Sequence, residues 1–206
     1  MRALKPIRQQ KSSTAMLTTT TQSPALQDQQ RYDAVTIGLH WLTVLLVLAL
    51  FLLAKVWEAL PHGTPLRHGL QGLHISLGIL LSAIIAARIV WRARFGRSLS
   101  AVRSSLPYWA ARSVHHVLYA LISGQVVFGY LFRWAQGEAF NFFGLFAIPA
   151  LFSPDRSFAR VAGEIHELAG WAIIILACGH GAAALFHHYV LRDDTLRRMS
   201  PIRSGR

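Results

Sequence analysis

The sequence predicts an all-α fold, namely an integral membrane four-helix bundle. Hydrophobic residues make up 53% of the 206 residues and charged residues only 15%, whereas a soluble domain carries about 25% charged residues. The mean hydropathy is +0.36. Four long apolar runs are each close to the roughly 20 residues that a helix needs to cross a bilayer. The alternative is a soluble protein with four buried helices, but almost no residues of this chain would remain to cover them.

The apolar runs define the elements in order. Spans one to four are expected at about 38–57, 70–91, 115–132 and 166–191, within a transmembrane domain of residues 31–200. The apolar stretch 140–152 is too short to cross a bilayer and contains Pro149, so we expect an interfacial or re-entrant segment there. Residues 1–30 are rich in Ser, Thr and Gln, which predicts a flexible tail. An organellar transit peptide and a true start at Met16 are alternatives. Residues 201–206 form a C-terminal tail.

The distribution of positive charge predicts the orientation. Sixteen of the 21 Lys and Arg residues lie in the two tails and the connection between spans two and three. Cytoplasmic segments of membrane proteins are enriched in Lys and Arg, so both termini are predicted to be cytoplasmic. The net charge of +12 is therefore explained by topology and by contact with membrane lipid. No basic face interleaved with aromatic residues indicates a nucleic-acid partner.

Four of the ten histidines lie in the spans at matching depths. His40 and His74 are near the starts of spans one and two. His166 and His180 share one face of span four, about 21 Å apart along the helix axis. Because successive spans are antiparallel, His74 and His166 form an outer pair, and His40 and His180 form an inner pair at the cytoplasmic level.

Two facing imidazoles on neighbouring helices are typical of a b-type haem with both axial positions filled. The sequence therefore predicts two b-type haems, one with its iron on the outer pair and one with its iron on the inner pair. A single intramembrane histidine is as often a hydrogen-bonded helix contact. A zinc or di-iron site would need ligands clustered at one level, with carboxylates among them. Cys178 is the only cysteine, which excludes an internal disulfide and a cysteine-based zinc site.

Further polar residues lie at the cytoplasmic level. Arg88 follows His74 by four helical turns and is a candidate partner for the propionates of the inner haem. His187 follows His180 by two turns and is a candidate hydrogen-bond donor to a quinone carbonyl, with Arg92 favouring an anionic form of that quinone. Interfacial anchoring is the alternative for Arg88, Arg92 and His187 alike. His115, at the start of span three, is expected at the interface, with contact to the inner haem or a quinone as its alternative.

From about Tyr32 to Pro201 the chain resembles the bacterial four-helix cytochrome b561 family. The resemblance rests on RYDAVTIGLHW around His40, GLHISLG around His74, IHELAG around His166 and GHGAAALFHHY around His180. It implies two b haems on the same four histidines. It also implies a multi-pass protein of the bacterial inner membrane that moves electrons between the respiratory quinone pool and a donor or acceptor at the outer face.

The superoxide oxidase type within this family is similar in length and in its C-terminal HHY segment. That similarity implies an oxidoreductase that oxidises superoxide outside and reduces ubiquinone, with His187 contacting the quinone. Gly38 stands where that type has a hydroxyl residue. One alternative is a cytochrome b subunit that passes electrons to or from a separate periplasmic redox protein. Another is a non-redox transporter or a haem-handling membrane protein.

Overall fold

The structure is a computed structural model that describes residues 31–96 and 106–201. In these ranges four helices are long and apolar enough to cross a bilayer, which confirms the predicted all-α membrane fold. They are α1 (Ala34–Glu58), α2 (Pro65–Arg94), α3 (Leu106–Ala135) and α4 (Arg156–Phe186). The tails predicted at 1–30 and 201–206 lie outside the described residues, apart from Pro201.

Each helix is longer than its apolar run, and in α1, α2 and α4 a capping residue starts the helix in the polar flank. The side chain of Asp33 accepts a hydrogen bond from the Thr36 amide and caps α1. Thr64 caps α2, whose first residue is a proline, and Asp155 caps α4. Caps satisfy amides that have no partner inside the helix. The hydropathy pattern therefore marks the part of each helix suited to hydrocarbon, whereas the caps set where α1, α2 and α4 begin.

The antiparallel helices give the bundle two ends. α1 packs mainly on α2, and α3 mainly on α4. We use the name hairpin end for the end of the bundle at which α1 and α3 finish and α2 and α4 begin. The opposite end, where α1 begins and α4 finishes, is the terminal end. The positive charge predicts that the terminal end faces the cytoplasm, and this orientation remains a prediction.

The bundle buries little and exposes much apolar surface. The buried core is a single cluster contributed by all four helices: Leu46, Leu50, Leu81, Ile85, Ile122 and Ile173. By contrast, Leu45 is 63% exposed, Leu168 is 72% exposed and Ile175 is 68% exposed. Large apolar side chains pointing outward along helices of this length are suited to lipid rather than to water.

The stretch after α3 forms a short hairpin rather than a helix. Strands β1 (Phe140–Phe142) and β2 (Phe146–Ile148) pair antiparallel across a turn containing Gly144, whose φ is +76°. The buried hydroxyl of Ser76 on α2 lies 3.0 Å from the Phe143 amide nitrogen and 3.1 Å from the Asn141 carbonyl oxygen. These bonds fasten the hairpin to α2, so the segment expected to be interfacial or re-entrant covers one end of the bundle.

The chain after α4 returns to the start of α1. A π-helical turn (His187–Leu191) continues α4, and Arg192 then takes a left-handed conformation with φ 54°. The Trp41 indole nitrogen donates to the Met199 carbonyl at 2.8 Å, and the Tyr32 amide donates to the Arg198 carbonyl at 3.3 Å. We call residues 192–200 the C-terminal strap. It closes the terminal end beside the first predicted haem ligand, His40.

Candidate haem sites

The structure brings the outer pair together at the hairpin end. The imidazole rings of His74 and His166 have centres 6.3 Å apart and planes inclined at 71°. Both side chains are half-buried. Trp57, near the end of α1, packs edge-on against His74 with ring centres 4.8 Å apart. Residues far apart in sequence on α2 and α4 thus form one local site, as the matched depths predicted.

Hydrogen bonds to the backbone fix the tautomer of both outer histidines. Nδ1 of His74 lies 3.0 Å from the carbonyl oxygen of Leu50, and Nδ1 of His166 lies 3.0 Å from that of Gln125. A carbonyl oxygen only accepts, so each Nδ1 carries the hydrogen. In the neutral imidazole, Nε2 then has a free lone pair. Metal-binding histidines usually donate their other ring hydrogen to a carbonyl or carboxylate oxygen in this way.

Gly129 on α3 makes room for the His166 ring. A Cβ at this position would lie 3.2 Å from Cε1 and 3.5 Å from Nδ1 of His166. Any larger residue would therefore push against the ring that the Gln125 carbonyl holds. The position of His166 is set by α3 as much as by its own helix.

The outer pair fits an axial bis-histidine site. A bond from an imidazole nitrogen to a metal is about 2.0 Å, and the ring centre lies about 1.2 Å behind that nitrogen, so rings on opposite sides of one iron have centres about 6.4 Å apart. The observed separation is 6.3 Å. The donor set, two neutral imidazoles with fixed Nδ1 hydrogens, also suits haem iron.

The inner pair lies in a larger cluster at the terminal end. His40 is within electrostatic range of His180, and also of Arg88 and His115. The rings of His115 and His180 are in edge-to-face contact, with centres 5.0 Å apart. That separation is too short for two rings on opposite sides of one iron. His40 and His180 therefore remain the candidate ligands, with His115 as a neighbour of His180.

Arg88 and Arg92 occupy different surroundings at the terminal end. The Arg88 guanidinium lies over the ring of Tyr119 on α3 at 5.0 Å, and that of Arg92 lies over the ring of Tyr32 at 5.9 Å. Both arginines line one small cavity with Thr36, Leu39, Trp91 and Tyr119. Arg88, half-buried and close to His40, is suited to an anionic group there. Arg92 is exposed and lies nearer the start of α1.

Asp33 joins the start of α1 to the end of α2 at the terminal end. Its carboxylate accepts hydrogen bonds from Thr36 and, at 3.0 Å, from the Trp91 indole nitrogen on α2. Burial raises the pKa of the Asp33 carboxyl, but the bonds from Thr36 and Trp91 outweigh burial and leave the pKa below its ordinary value. Asp33 is therefore ionised at neutral pH and anchors α1 to α2 beside the inner cluster.

His187 begins the π-helical turn, and its ring is bonded to the C-terminal strap. Nδ1 of His187 lies 2.5 Å from Oδ2 of Asp193. The sequence predicted that His187 follows the His180 face and reaches a quinone, but it gave no sign of a carboxylate partner. The bond arises because Arg192 turns the chain back through its left-handed conformation.

An apolar layer separates the two histidine levels. The buried core cluster contains Ile173, midway between His166 and His180 on α4, together with Leu81 and Ile85, which lie between His74 and Arg88 on α2. The bundle thus has two polar sites, one toward each end, with hydrocarbon side chains between them.

Three features of the sites were missed or given little weight from the sequence. His115 lies against His180, and its depth at the start of span three was a signal that could have indicated this contact. The backbone carbonyls that orient the outer pair, and the close approach of Gly129, depend on helix rotation. The partnership of His187 with Asp193 depends on a turn that no motif marks.

Comparisons with known proteins show which family the chain belongs to. The family model described as "Prokaryotic cytochrome b561" matches residues 31–201. Cytochrome b561 homolog 2 of Escherichia coli (strain K12) is 33% identical over 176 residues, which cover 82% of this chain and 91% of the relative. Cytochrome b561 homolog 1 of the same organism is 29% identical over 178 residues, covering 84% of this chain and 98% of the relative.

A third relative has a name that states an activity. The Yersinia pestis protein named "Probable superoxide oxidase CybB" is 27% identical over 177 residues, covering 85% of this chain and 99% of the relative. All three alignments extend over nearly the whole length of the relatives, so the similarity is to the complete proteins.

Proposed function

The chain belongs to the prokaryotic cytochrome b561 family of membrane electron-transfer proteins, and from this premise we propose that it binds two b-type haems, one toward each face of the bacterial inner membrane. Its family implies b-type haem, and its four apolar helices make it a multi-pass membrane protein. The observation that carries the proposal of two haem sites is the 6.3 Å separation of the outer imidazoles, together with the second histidine cluster at the other end.

The chain's own residues would hold and orient each group. His74 and His166 would ligate the outer haem, and His40 and His180 the inner one, with Arg88 near the inner propionates. When bound, the haems would supply one-electron transfer. The backbone carbonyls of Leu50 and Gln125 keep Nε2 of the outer histidines free of hydrogen. The apolar layer excludes water between the sites.

The most specific form of the proposal is superoxide:ubiquinone oxidoreductase activity. The relative named for superoxide oxidase supports it, as does the charge near the outer pair. Arg67 donates to the carbonyl oxygens of Trp57 at 2.5 Å and Leu60 at 2.9 Å, and the ring of Trp57 packs on His74. These acceptors are neutral, so the positive charge of Arg67 remains available to attract an anion such as superoxide.

Two other cations at the hairpin end have carboxylate partners. Nζ of Lys55 lies 2.6 Å from a carboxylate oxygen of Glu58, and Arg133 pairs with Glu138. No carboxylate in the described part of the chain lies within salt-bridge distance of Arg67. Arg67 is the cation that the geometry favours for guiding an anionic substrate toward the outer site, because it is bonded to Trp57, whose ring packs on His74.

The test is an anaerobic stopped-flow experiment on the purified holoprotein that follows the haem absorption bands. We expect superoxide to reduce the haems and ubiquinone to reoxidise them. Arg67→Gln should slow the superoxide step by about three- to tenfold at low salt. Arg156→Gln, which removes an exposed cation at the same end, is the matched control and should have a smaller effect. If superoxide does not reduce the haems, this form of the proposal is wrong.

One observation favours a second candidate, a cytochrome b that exchanges electrons with a separate periplasmic redox protein. The tip of the hairpin presents exposed apolar side chains, with Phe143 at 51%, Leu145 at 76% and Phe146 at 51% exposed. Such a patch can dock a partner or rest in the lipid interface. Reduction of the haems by quinol, with no reaction with superoxide, would favour this second function.

A further inference from the structure

His187 and Asp193 form a closed hydrogen-bonded ring at the terminal end. Nδ1 of His187 lies 2.5 Å from Oδ2 of Asp193, and the Asp193 amide donates to the His187 carbonyl at 3.1 Å. The second carboxylate oxygen of Asp193 accepts from the Thr195 amide at 2.9 Å. Both ends of the pair are therefore fixed, and the imidazole has a defined orientation.

This ring determines what His187 can offer to a ligand. Because the carboxylate accepts the Nδ1 hydrogen, a neutral His187 presents only the lone pair of Nε2 and can only accept a hydrogen bond there. It can donate to a quinone carbonyl through Nε2 only when the ring is doubly protonated. The hydrogen bond that the sequence predicts from His187 to a quinone carbonyl therefore requires the doubly protonated ring.

We propose that His187 and Asp193 act as a proton-transfer dyad, in which Asp193 is the positioning residue and His187 exchanges a proton with bound quinone through Nε2. The inference rests on the proposed function, since it concerns the quinone site of that function. It adds a residue, a tautomer and a direction of proton movement that the histidine alone does not define.

The proton and electron balance follows from quinone chemistry. Reduction of one ubiquinone to ubiquinol takes two electrons and two protons. The electrons come from the haem side, one at a time. The doubly protonated His187 gives one proton from Nε2 to a quinone oxygen, becomes neutral and keeps its Nδ1 hydrogen on Asp193. Water then reprotonates Nε2, and the second proton reaches the other quinone oxygen from solvent. Quinol oxidation runs the same steps backwards, with the neutral Nε2 accepting a proton from a quinol hydroxyl.

The surroundings of the dyad suit this role. The side chains of His187 and Asp193 are 34% and 40% exposed, so water can reach them. The hydrogen bonds from His187 and Thr195 lower the pKa of the Asp193 carboxyl to about 2, so it is a counter-charge at neutral pH. The other titratable or charged side chains of residues 187–200 are His188, Tyr189, Arg192, Asp194, Arg197 and Arg198. Among these, Asp194 pairs with Arg197 at 3.3 Å.

The backbone around the dyad is also unusual. His187 starts a π-helical turn, and Arg192 at its end is left-handed. π-helical turns inside α-helices occur frequently at functional sites, where they redirect side chains. Here the wider turn and the reversal at Arg192 bring Asp193 back under the His187 ring.

The first experiment compares quinol with dithionite as reductants of the holoprotein in stopped flow. Asp193→Asn keeps an oxygen that can accept from Nδ1 but removes the charge, and it should slow reduction by quinol by about tenfold. Reduction by dithionite and both haem spectra should be unchanged. Asp194→Asn is the matched control, because it removes the same charge from the same strap without touching His187. Equal rates for the two variants would overturn the dyad.

The second experiment observes the tautomer without any ligand. Protein labelled with ¹⁵N-histidine, with its haems reduced, should show that the neutral form of His187 carries its hydrogen on Nδ1 and none on Nε2. The signal is assigned by its loss in His187→Gln. A hydrogen on Nε2 instead of Nδ1 would overturn the dyad.

The outcomes separate the inference from the proposed function. If quinol reduces the wild type, and His187→Gln slows it but Asp193→Asn does not, the quinone function stands and the dyad is wrong. If quinol does not reduce the wild type at all, the quinone function fails and the dyad fails with it, whatever the tautomer.

Discussion

Gly129→Val should selectively loosen the outer haem, because the glycine lies against the ring of His166. A Cβ at Gly129 would lie 3.2 Å from Cε1 of His166, whereas carbon atoms pack best at about 3.5–4.0 Å. The ring cannot retreat freely, since its Nδ1 is bonded to the Gln125 carbonyl at 3.0 Å. Valine adds two further methyl groups to this overlap.

The size of the effect follows from the cost of overpacking. Extra methyl groups in a well-packed site typically cost about 1–3 kcal/mol. If this cost falls on the haem-bound state, the affinity of the outer site drops by about 5- to 150-fold. The inner site is on the other side of the apolar core and should keep its affinity.

Transfer of haem to excess apomyoglobin measures this directly. The wild type should lose its haems slowly, whereas Gly129→Val should show one haem leaving faster by the factor above and one unchanged. Gly124→Val is the control, because a Cβ at Gly124 on the same helix has no atom within 4 Å in the described part of the chain. Identical haem loss from the two variants would refute the claim that α3 positions His166.

Four further expectations follow from the same geometry. Replacing either histidine of the outer pair by Ala should remove one and the same haem, and replacing either histidine of the inner pair should remove the other, as seen in optical spectra; any cross-grouping would overturn the pairing. A chain beginning at Gln30 should still incorporate haem and react with quinol, which haem analysis and stopped flow can check. Ser76→Ala leaves the Phe143 amide without its acceptor, which costs about 1 kcal/mol, so that amide should exchange hydrogen faster by mass spectrometry. The Asp193 carboxyl should titrate near pH 2 in ¹³C NMR. The bond from His187 to Asp193 therefore stabilises the folded protein fully above pH 3.8, the ordinary pKa of the carboxyl, and this stabilisation is lost as the pH falls towards 2. A midpoint at pH 3.8 would contradict this expectation.

The depth of the histidines along the spans was predictable, because length and antiparallel order fix it. For that reason alone, His74 lies beside His166 for any helix rotation that turns both side chains toward the bundle interior. The same reasoning applied to His115 would have placed it near His180, where the structure has it. Depth is therefore the information that hydropathy and spacing carry reliably for a membrane bundle.

What the sequence did not provide depends on rotation, close approach and chain reversal. Whether the carbonyls of Leu50 and Gln125 face an imidazole depends on how each helix is turned about its axis. Gly129 is one of 15 glycines, and only packing distinguishes it. Asp193 reaches His187 because the chain reverses at a left-handed Arg192, a conformation uncommon for a residue other than glycine.

The most direct test of the account is the number of haems per chain. A pyridine haemochrome assay on the purified protein, with the chain quantified by amino-acid analysis, gives that ratio and the haem type together. Two histidine pairs on opposite sides of an apolar core predict two b-type haems per chain, both low-spin in the optical spectrum. A ratio of one or zero, or a high-spin haem with an open axial position, would contradict the account.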